Sequence, residues 1–405
     1  MKRLGLFACV LALAACGDDP PPVDPPVPAP VMKDNLGVAF SSIRGLAIGT
    51  AGSALTAGAV QTPEQQQLLT LDANNQLQPV ALTTTGTGNP RELYDTPKFV
   101  LIAVSDVTHE GQSCASVLVR KSDSAMFCVP FSPTTPGNRG ADRVQWGSTG
   151  DTVVIDSGNA LHRLDATANT LQLTTLRFDG AELVNFAVNA ADDVMVNLRQ
   201  DNGTVIRVYP KNGAPVFVTA RNQSCVYPGP VGSRDYYLAL GWSDKSSVDR
   251  VVGSETGTYS EPASVWTTGP SVWDNCGVVY RSQDRLIVRA STNLLEVVNP
   301  SGTPRVLPVQ MKVARGGALF NWGQDSEGRA FVTRYDLPAL TPVALLAASP
   351  YRLGKVDVSP TGEVSFTATR LSDGARVVGS IRSGKLEVSE LTQSQPEIVT
   401  LVRIN

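Results

Sequence analysis

Four segments of this chain repeat one local plan: an apolar strand end, a turn carrying Gly or Asp, then a second apolar strand. They read VQWGSTGDTVVID (144–156), NFAVNAADDVMVN (185–197), LFNWGQDSEGRAFV (319–332) and VDVSPTGEVSF (356–366). Just past the last of these turns, Val364, Phe366 and Ala368 fall on one face and Ser365, Thr367 and Thr369 on the other. That two-residue alternation belongs to a strand. No 3.6-residue apolar period is sustained after Asn35, and Gly and Pro punctuate the pattern throughout. A second element follows each turn at a similar lag: LLTLDANNQLQPV (68–80), LHRLDATANTLQL (161–173), VIRVYPKNGAPVFV (205–218), LEVVNPSGTPRVL (295–307) and FVTRYDLPALTPV (331–343). Each reads as strand, tight turn, strand.

Two hairpins per roughly 40–50 residues is the count for one four-stranded propeller blade. The anchor positions Trp146, Val188, Trp322 and Val358 leave a gap that further units near Val231 and Val279 fill, and two more lie near residues 50 and 100. That makes eight units, or seven if the first merges into ring closure. The V-x-[WV]-S-x-[DT]-G turn and the later L-x-x-[LV]-[DN] strand end resemble the TolB-type, WD40-like propeller repeat across about residues 40–390, although no copy keeps the full W-S-P-D-G string. The resemblance implies an all-β chain with a single propeller over residues 35–405. Repeated short strands also suit a two-sheet sandwich, which is the alternative fold. The terminal EIVTLVRIN (397–405) has no strand partner downstream, and GVAFSSIRGLAIG (37–49) has the same need at the other end. Pairing the two in one blade closes the ring and removes an exposed edge.

Ahead of the repeats, MKRLGLFACVLALAA (1–15) has a short basic start and an apolar run, the pattern of a secretory signal and too short to span a bilayer permanently. Its end, Leu13-Ala14-Ala15-Cys16-Gly17, resembles the bacterial lipobox. That family implies removal of residues 1–15 and acylation of Cys16, including a palmitate-like chain, so that the lipid bilayer becomes a partner. Several acyl chains give stable anchoring where one does not. Gly17, in place of the aspartate that marks inner-membrane retention in enterobacterial lipoproteins, points to the outer membrane, facing the periplasm or the cell surface. Residues 16–34 then form a tether in which seven of residues 20–30 are proline. Such a segment favours polyproline II and is expected to stay off the core.

Four cysteines remain beyond the leader and anchor: Cys114, Cys128, Cys225 and Cys276. An even number in an exported chain points to disulfides. Cys114 and Cys128 flank a polar turn, Lys121 to Ser124, so a hairpin brings them together; Cys225 then pairs with Cys276 and staples neighbouring blades. A zinc site is the competing idea, without C-x-x-C or nearby His to support it.

Formal net charge is −3 with no basic block, which leaves nucleic acid without an electrostatic footprint. His109 beside Glu110 stands alone and reads as a solvated loop, while His162 alternates with Leu161 and Leu164 as a structural or surface residue. No nucleophile elbow, phosphate-binding glycine loop or EF-hand loop occurs. Asp192-Asp193 suits turn chemistry. Hence no catalytic residue, metal or cofactor is implied. One region is rich in aromatics: Tyr236, Tyr237, Trp242, Tyr259, Trp266 and Trp273, among Ser, Thr and Gly. Flat faces bordered by small polar groups form a candidate binding surface for a protein or a glycan, with blade core as the plainer reading. The functional expectation is a non-enzymatic binding or scaffold module of the cell envelope; the alternative is a carbohydrate-binding or carbohydrate-active propeller, lectin or lyase. A hydrolase using carboxylates and a divalent metal in the channel is a third possibility.

Overall fold

The computed structural model describes residues 27–29, 35–50, 66–82, 88–109, 111–134, 143–158, 160–166, 170–178, 180–200, 203–220, 225–241, 246–268, 276–290, 293–307, 311–315, 317–392 and 396–404. The leader, Cys16 and the rest of the tether lie outside them. The strands form eight antiparallel sheets arranged as an eight-bladed β-propeller. Blades are numbered here along the chain, with strands A to D running outward. Strand A is Asn89–Asp95 in blade 2, Val144–Trp146 in blade 3, Glu182–Val188 in blade 4 and Cys225–Pro228 in blade 5. It is Cys276–Arg281 in blade 6, Val313–Arg315 in blade 7 and Tyr351–Val358 in blade 8. The A strands of blades 3 to 7 contact one another in turn, as do those of blades 8, 1 and 2, so they line the channel.

Blade 1 is where the ends meet. Its strand A is the C-terminal Glu397–Arg403, paired antiparallel with Gly45–Thr50 in a register that sets Ala47 opposite Leu401 and Gly45 opposite Arg403. Space there is tight: a Cβ at Gly45 would lie 2.5 Å from the Val402 carbonyl oxygen. Arg44 donates to Asn75 Oδ1 and Ser380 Oγ, both at 2.9 Å, tying blade 1 to blade 8. Arg403 pairs with Glu363 across the same seam. The expected closure and the count of eight therefore hold.

Alternation explains the packing. In strand B of blade 2, Phe99–His109, Val100 and Ile102 face a core shared with blade 1, while Phe99 and Leu101 face one shared with blade 3. Both faces are buried, so FVLIAV reads as nearly unbroken apolar sequence. The other seams repeat the device, giving one apolar cluster between each pair of neighbouring blades. Leu36, Val38, Phe40 and Ile43 extend the cluster between blades 1 and 2.

The turns share one chemistry. Asn189 Oδ1 accepts the amides of Ala191 and Asp193, Asp325 Oδ1 those of Glu327 and Arg329, and Ser359 Oγ those of Thr361 and Glu363. Small polar side chains capping the backbone two and four residues on make these sharp reversals. Asn189 and Ser359 turn strand A into strand B. Asp325 does not. It joins Ala318–Gln324 to Ala330–Asp336, strands B and C of blade 7, so the Trp322 segment differs from the three segments it was grouped with, which are all A–B hairpins. The five later segments are all C–D hairpins.

The tether also departs from expectation. Val27–Ala29 pairs antiparallel with Leu171–Arg177, the outer strand of blade 3, as a fifth strand. Proline is tolerated on such an edge because no further strand needs its missing N–H.

Candidate functional site

Every A–B connection emerges on one face of the ring, so the last residues of the A strands surround one mouth of the channel. A cavity of about 1090 Å³ opens there. Phe40 and Ile404 of blade 1 line it, with Asp95, Lys98 and Lys121 of blade 2. Trp146 and Asp151 of blade 3, Arg315 of blade 7 and Pro360 of blade 8 complete the wall. Trp146, closing its short strand, keeps 36% of its surface exposed.

Charge at the mouth is arranged in pairs. Lys121 Nζ lies 2.7 Å from Asp95 Oδ1, Lys98 Nζ 2.7 Å from Asp151, and Arg120 2.7 Å from Asp123. Burial pushes the Asp95 carboxyl up to about 6, with Lys121 pulling it back and Asp357 adding to the rise. Burial also raises Asp357, although its Oδ2 accepts the Arg403 amide at 2.5 Å and Arg315 favours its charged form. Among the described residues no three His, Cys, Asp or Glu side chains cluster as metal ligands would. The mouth presents paired charges beside flat apolar walls.

The aromatic region that sequence singled out lies elsewhere and mostly inside. Tyr236 and Tyr237 sit side by side on Tyr236–Gly241, strand B of blade 5, and alternation sends them to opposite faces. Tyr236 enters the core shared with blade 4 and Tyr237 the one shared with blade 6. As members of an exposed surface they are corrected: both are buried. Tyr236 Oη donates to the Asp193 carbonyl at 2.7 Å, and burial holds its phenol well above the usual range. Tyr259 donates to the Asp193 carboxylate and accepts from Asn189 Nδ2 at 3.0 Å. Trp266, on the outer strand Ala263–Thr268, is half-buried against the blade 5–6 core. Trp242 and Trp273 lie outside the described residues. Between the two aromatic strands of this blade lie strand Ser246–Val251 and a hairpin tip bridged from Gly253 to Tyr259. It serves the seam between blades 4 and 5.

Asp192 and Asp193 do turn work and more. Asp193 Oδ1 accepts the Lys211 amide at 2.7 Å, and Asp192 pairs with Lys211 Nζ at 2.9 Å. His162 stacks on Phe131 with ring centroids 3.5 Å apart, and its nitrogens lie 2.9 Å from Ser157 Oγ and 3.1 Å from Thr175 Oγ1. His109 ends strand B of blade 2. Cys114 and Cys128 stand at disulfide distance, their Cα atoms 5.2 Å apart, although the ladder sets Cys128 opposite Val117. Cys225 and Cys276 do so at 5.5 Å and link the inner strands of blades 5 and 6.

Asp95, Asp357 and Arg315 were not singled out from sequence. Each stands at the end of an inner strand in a different blade, and only the ring brings them together. Arginine closes three of these strands, at Arg281, Arg315 and Arg403, a signal visible once blades are aligned.

No family model and no curated protein matches the chain. Solved structures similar to it include a puromycin-hydrolysing peptidase of Mycobacterium tuberculosis, 14% identical over 77% of this chain and 54% of that one, with a TM-score of 0.43. A structure from a study of two prolyl endopeptidases is 11% identical over 76% of this chain and 51% of that one, at 0.45. A eukaryotic initiation factor is 11% identical over 89% of this chain and 98% of that one, at 0.46. The chain spans about half the length of the first two structures.

Proposed function

We propose that this chain is an envelope lipoprotein, held at the bacterial outer membrane by acyl chains on Cys16 and facing the periplasm or the surface. Its propeller binds another envelope protein at the channel mouth and carries out no reaction of its own. The observation that supports this best is the cavity of about 1090 Å³, walled by residues of five blades. Each wall belongs to a blade locked to its neighbours by an apolar seam, so the surface is presented on a rigid frame. The lipobox-like string Leu13 to Gly17 supports the anchor. With Val27–Ala29 held on blade 3, the span left between Cys16 and the propeller is ten residues, 17–26, a reach of about 31 Å at ~3.1 Å per residue if extended. A glycan-binding reading loses two of its six aromatic residues, Tyr236 and Tyr237, which turn inward.

Cross-linking in the native envelope followed by co-purification tests the proposal. Wild-type protein should retain an envelope protein that Trp146→Arg loses while keeping its melting temperature. Equal recovery with both proteins, or binding to a glycan array in place of a protein, would refute it. For the anchor, Cys16→Ser should appear in the soluble fraction or as unprocessed precursor; a processed variant that still floats with membranes would show the anchor to be wrong.

A further inference from the structure

Three of the four cations lining the mouth are answered by carboxylates: Lys98 by Asp151, Arg120 by Asp123 and Lys121 by Asp95. The fourth is Arg315. It is exposed, its guanidinium donates to the carbonyl of its own neighbour Ala314 at 3.0 Å, and among the described residues no carboxylate lies within ion-pair distance. On the adjoining blade, Arg281 holds the same end-of-strand position. Its Nε donates to the Gly229 carbonyl at 2.5 Å, while a buried terminal nitrogen has no partner among the described residues. Arg403, the third arginine to close an inner strand, is answered by Glu363. Among the described residues, two neighbouring inner strands therefore end on guanidinium groups with no carboxylate in ion-pair contact; one of them, Arg315, is in the cavity wall, where Asp95 and Asp357 feel its charge from beyond that distance.

We propose that the mouth recognises a carboxylate on an inserted peptide segment, with Arg315 as the contacting residue. The inference rests on the reading of the propeller as a protein-binding module and names the chemistry its partner brings. A guanidinium presents paired N–H donors that match a carboxylate in a two-point contact. Asp95, Asp123 and Asp151 nearby favour a singly charged group over a phosphate dianion, whose second charge they would repel. Phe40, Trp146 and Pro360 supply apolar wall for the side chains flanking that carboxylate.

The test titrates the full-length protein, in detergent micelles, with fluorescein-labelled hexapeptide amide pools. One pool fixes Asp or Glu at a central position among apolar residues, a second fixes Asn or Gln, and a third fixes phosphoserine. Succinate and inorganic phosphate serve as competitors. The acidic pool should bind about tenfold tighter than the amide pool, the size of one charge-assisted contact. Arg315→Gln should erase that difference at an unchanged melting temperature, and Arg315→Lys should keep part of it. Equal binding of the acidic and amide pools, a preference for phosphoserine, or an acid preference that survives Arg315→Gln would overturn the inference. So would binding of succinate without binding of any peptide. Capture of an envelope partner that Trp146→Arg loses and Arg315→Gln keeps would overturn the carboxylate while leaving the binding module standing. Acid-selective, Arg315-dependent binding with no envelope partner would do the reverse.

Discussion

The aromatic seams of blades 4 to 6 and the channel mouth divide the chemistry of this molecule unevenly. The seams hold the large, conspicuous side chains, with Tyr236, Tyr237 and Tyr209 buried and the hydroxyls of Tyr236 and Tyr259 spent on Asp193. The mouth holds ordinary residues, an arginine here and an aspartate there, in half-exposed positions supplied by five blades. Conspicuous residues in a propeller serve its coherence, because every blade must bury both faces. On the proposed reading, recognition falls to strand ends, which the core releases from packing.

The contrast fails most visibly if the seam residues prove dispensable. Tyr236→Ala removes a fully buried ring and a hydrogen bond across a seam. It should cost about 3–5 kcal/mol, the range for emptying a buried aromatic site, read by urea unfolding. Replacing Cys225 and Cys276 together by Ala opens a link of sequence separation 51. The chain-entropy model puts that loss at roughly 4 kcal/mol before any native strain is subtracted, so the double variant should melt well below wild type without reductant and near it with reductant.

Protonation probes the mouth. Asp95 titrates near 6 when folded and near the ordinary carboxylate value of about 3.9 when unfolded. The folded state binds the extra proton between those values, so this group's contribution to stability is full below about pH 4 and is lost as pH rises through about 6. Lys121, Arg315 and Asp357 are the charges that act on it. The stability of wild type relative to Asp95→Asn should therefore decline between pH 4 and 6.5, by on the order of 1–2 kcal/mol; a flat difference would remove Asp95 from the buried mouth. The smallest effect belongs to Trp146→Ala, which should leave stability within about 1 kcal/mol because the ring is half in solvent. A loss comparable to Tyr236→Ala would make Trp146 another seam residue.

Sequence carried the architecture because each blade repeats its strands and turns locally. The unit near Val358, the closing strand and both cysteine pairings were legible from alternation, turn residues and parity. The Trp322 hairpin misled because Asp325 caps its turn just as Asn189 and Ser359 cap theirs, whichever strands they join. In sequence, blade 7's own A–B reversal, Arg315 to Ala318, holds no Asn, Asp or Ser to mark it. The aromatic cluster misled for another reason: composition says that rings are present, and the backbone decides which face they take. Asp95, Arg315 and Asp357 could not be grouped from sequence, since their proximity is a product of ring closure.

One measurement bears most directly on the mouth as the binding surface. A photoreactive residue is placed either at Trp146 or at Phe217, which lies on the outer strand of blade 4 and is 61% exposed. Both full-length proteins are then irradiated in the native envelope. A discrete protein adduct from position 146, absent from position 217, is the expected result. Adducts from 217 with none from 146 would move the binding surface to the rim and contradict the assignment of the mouth.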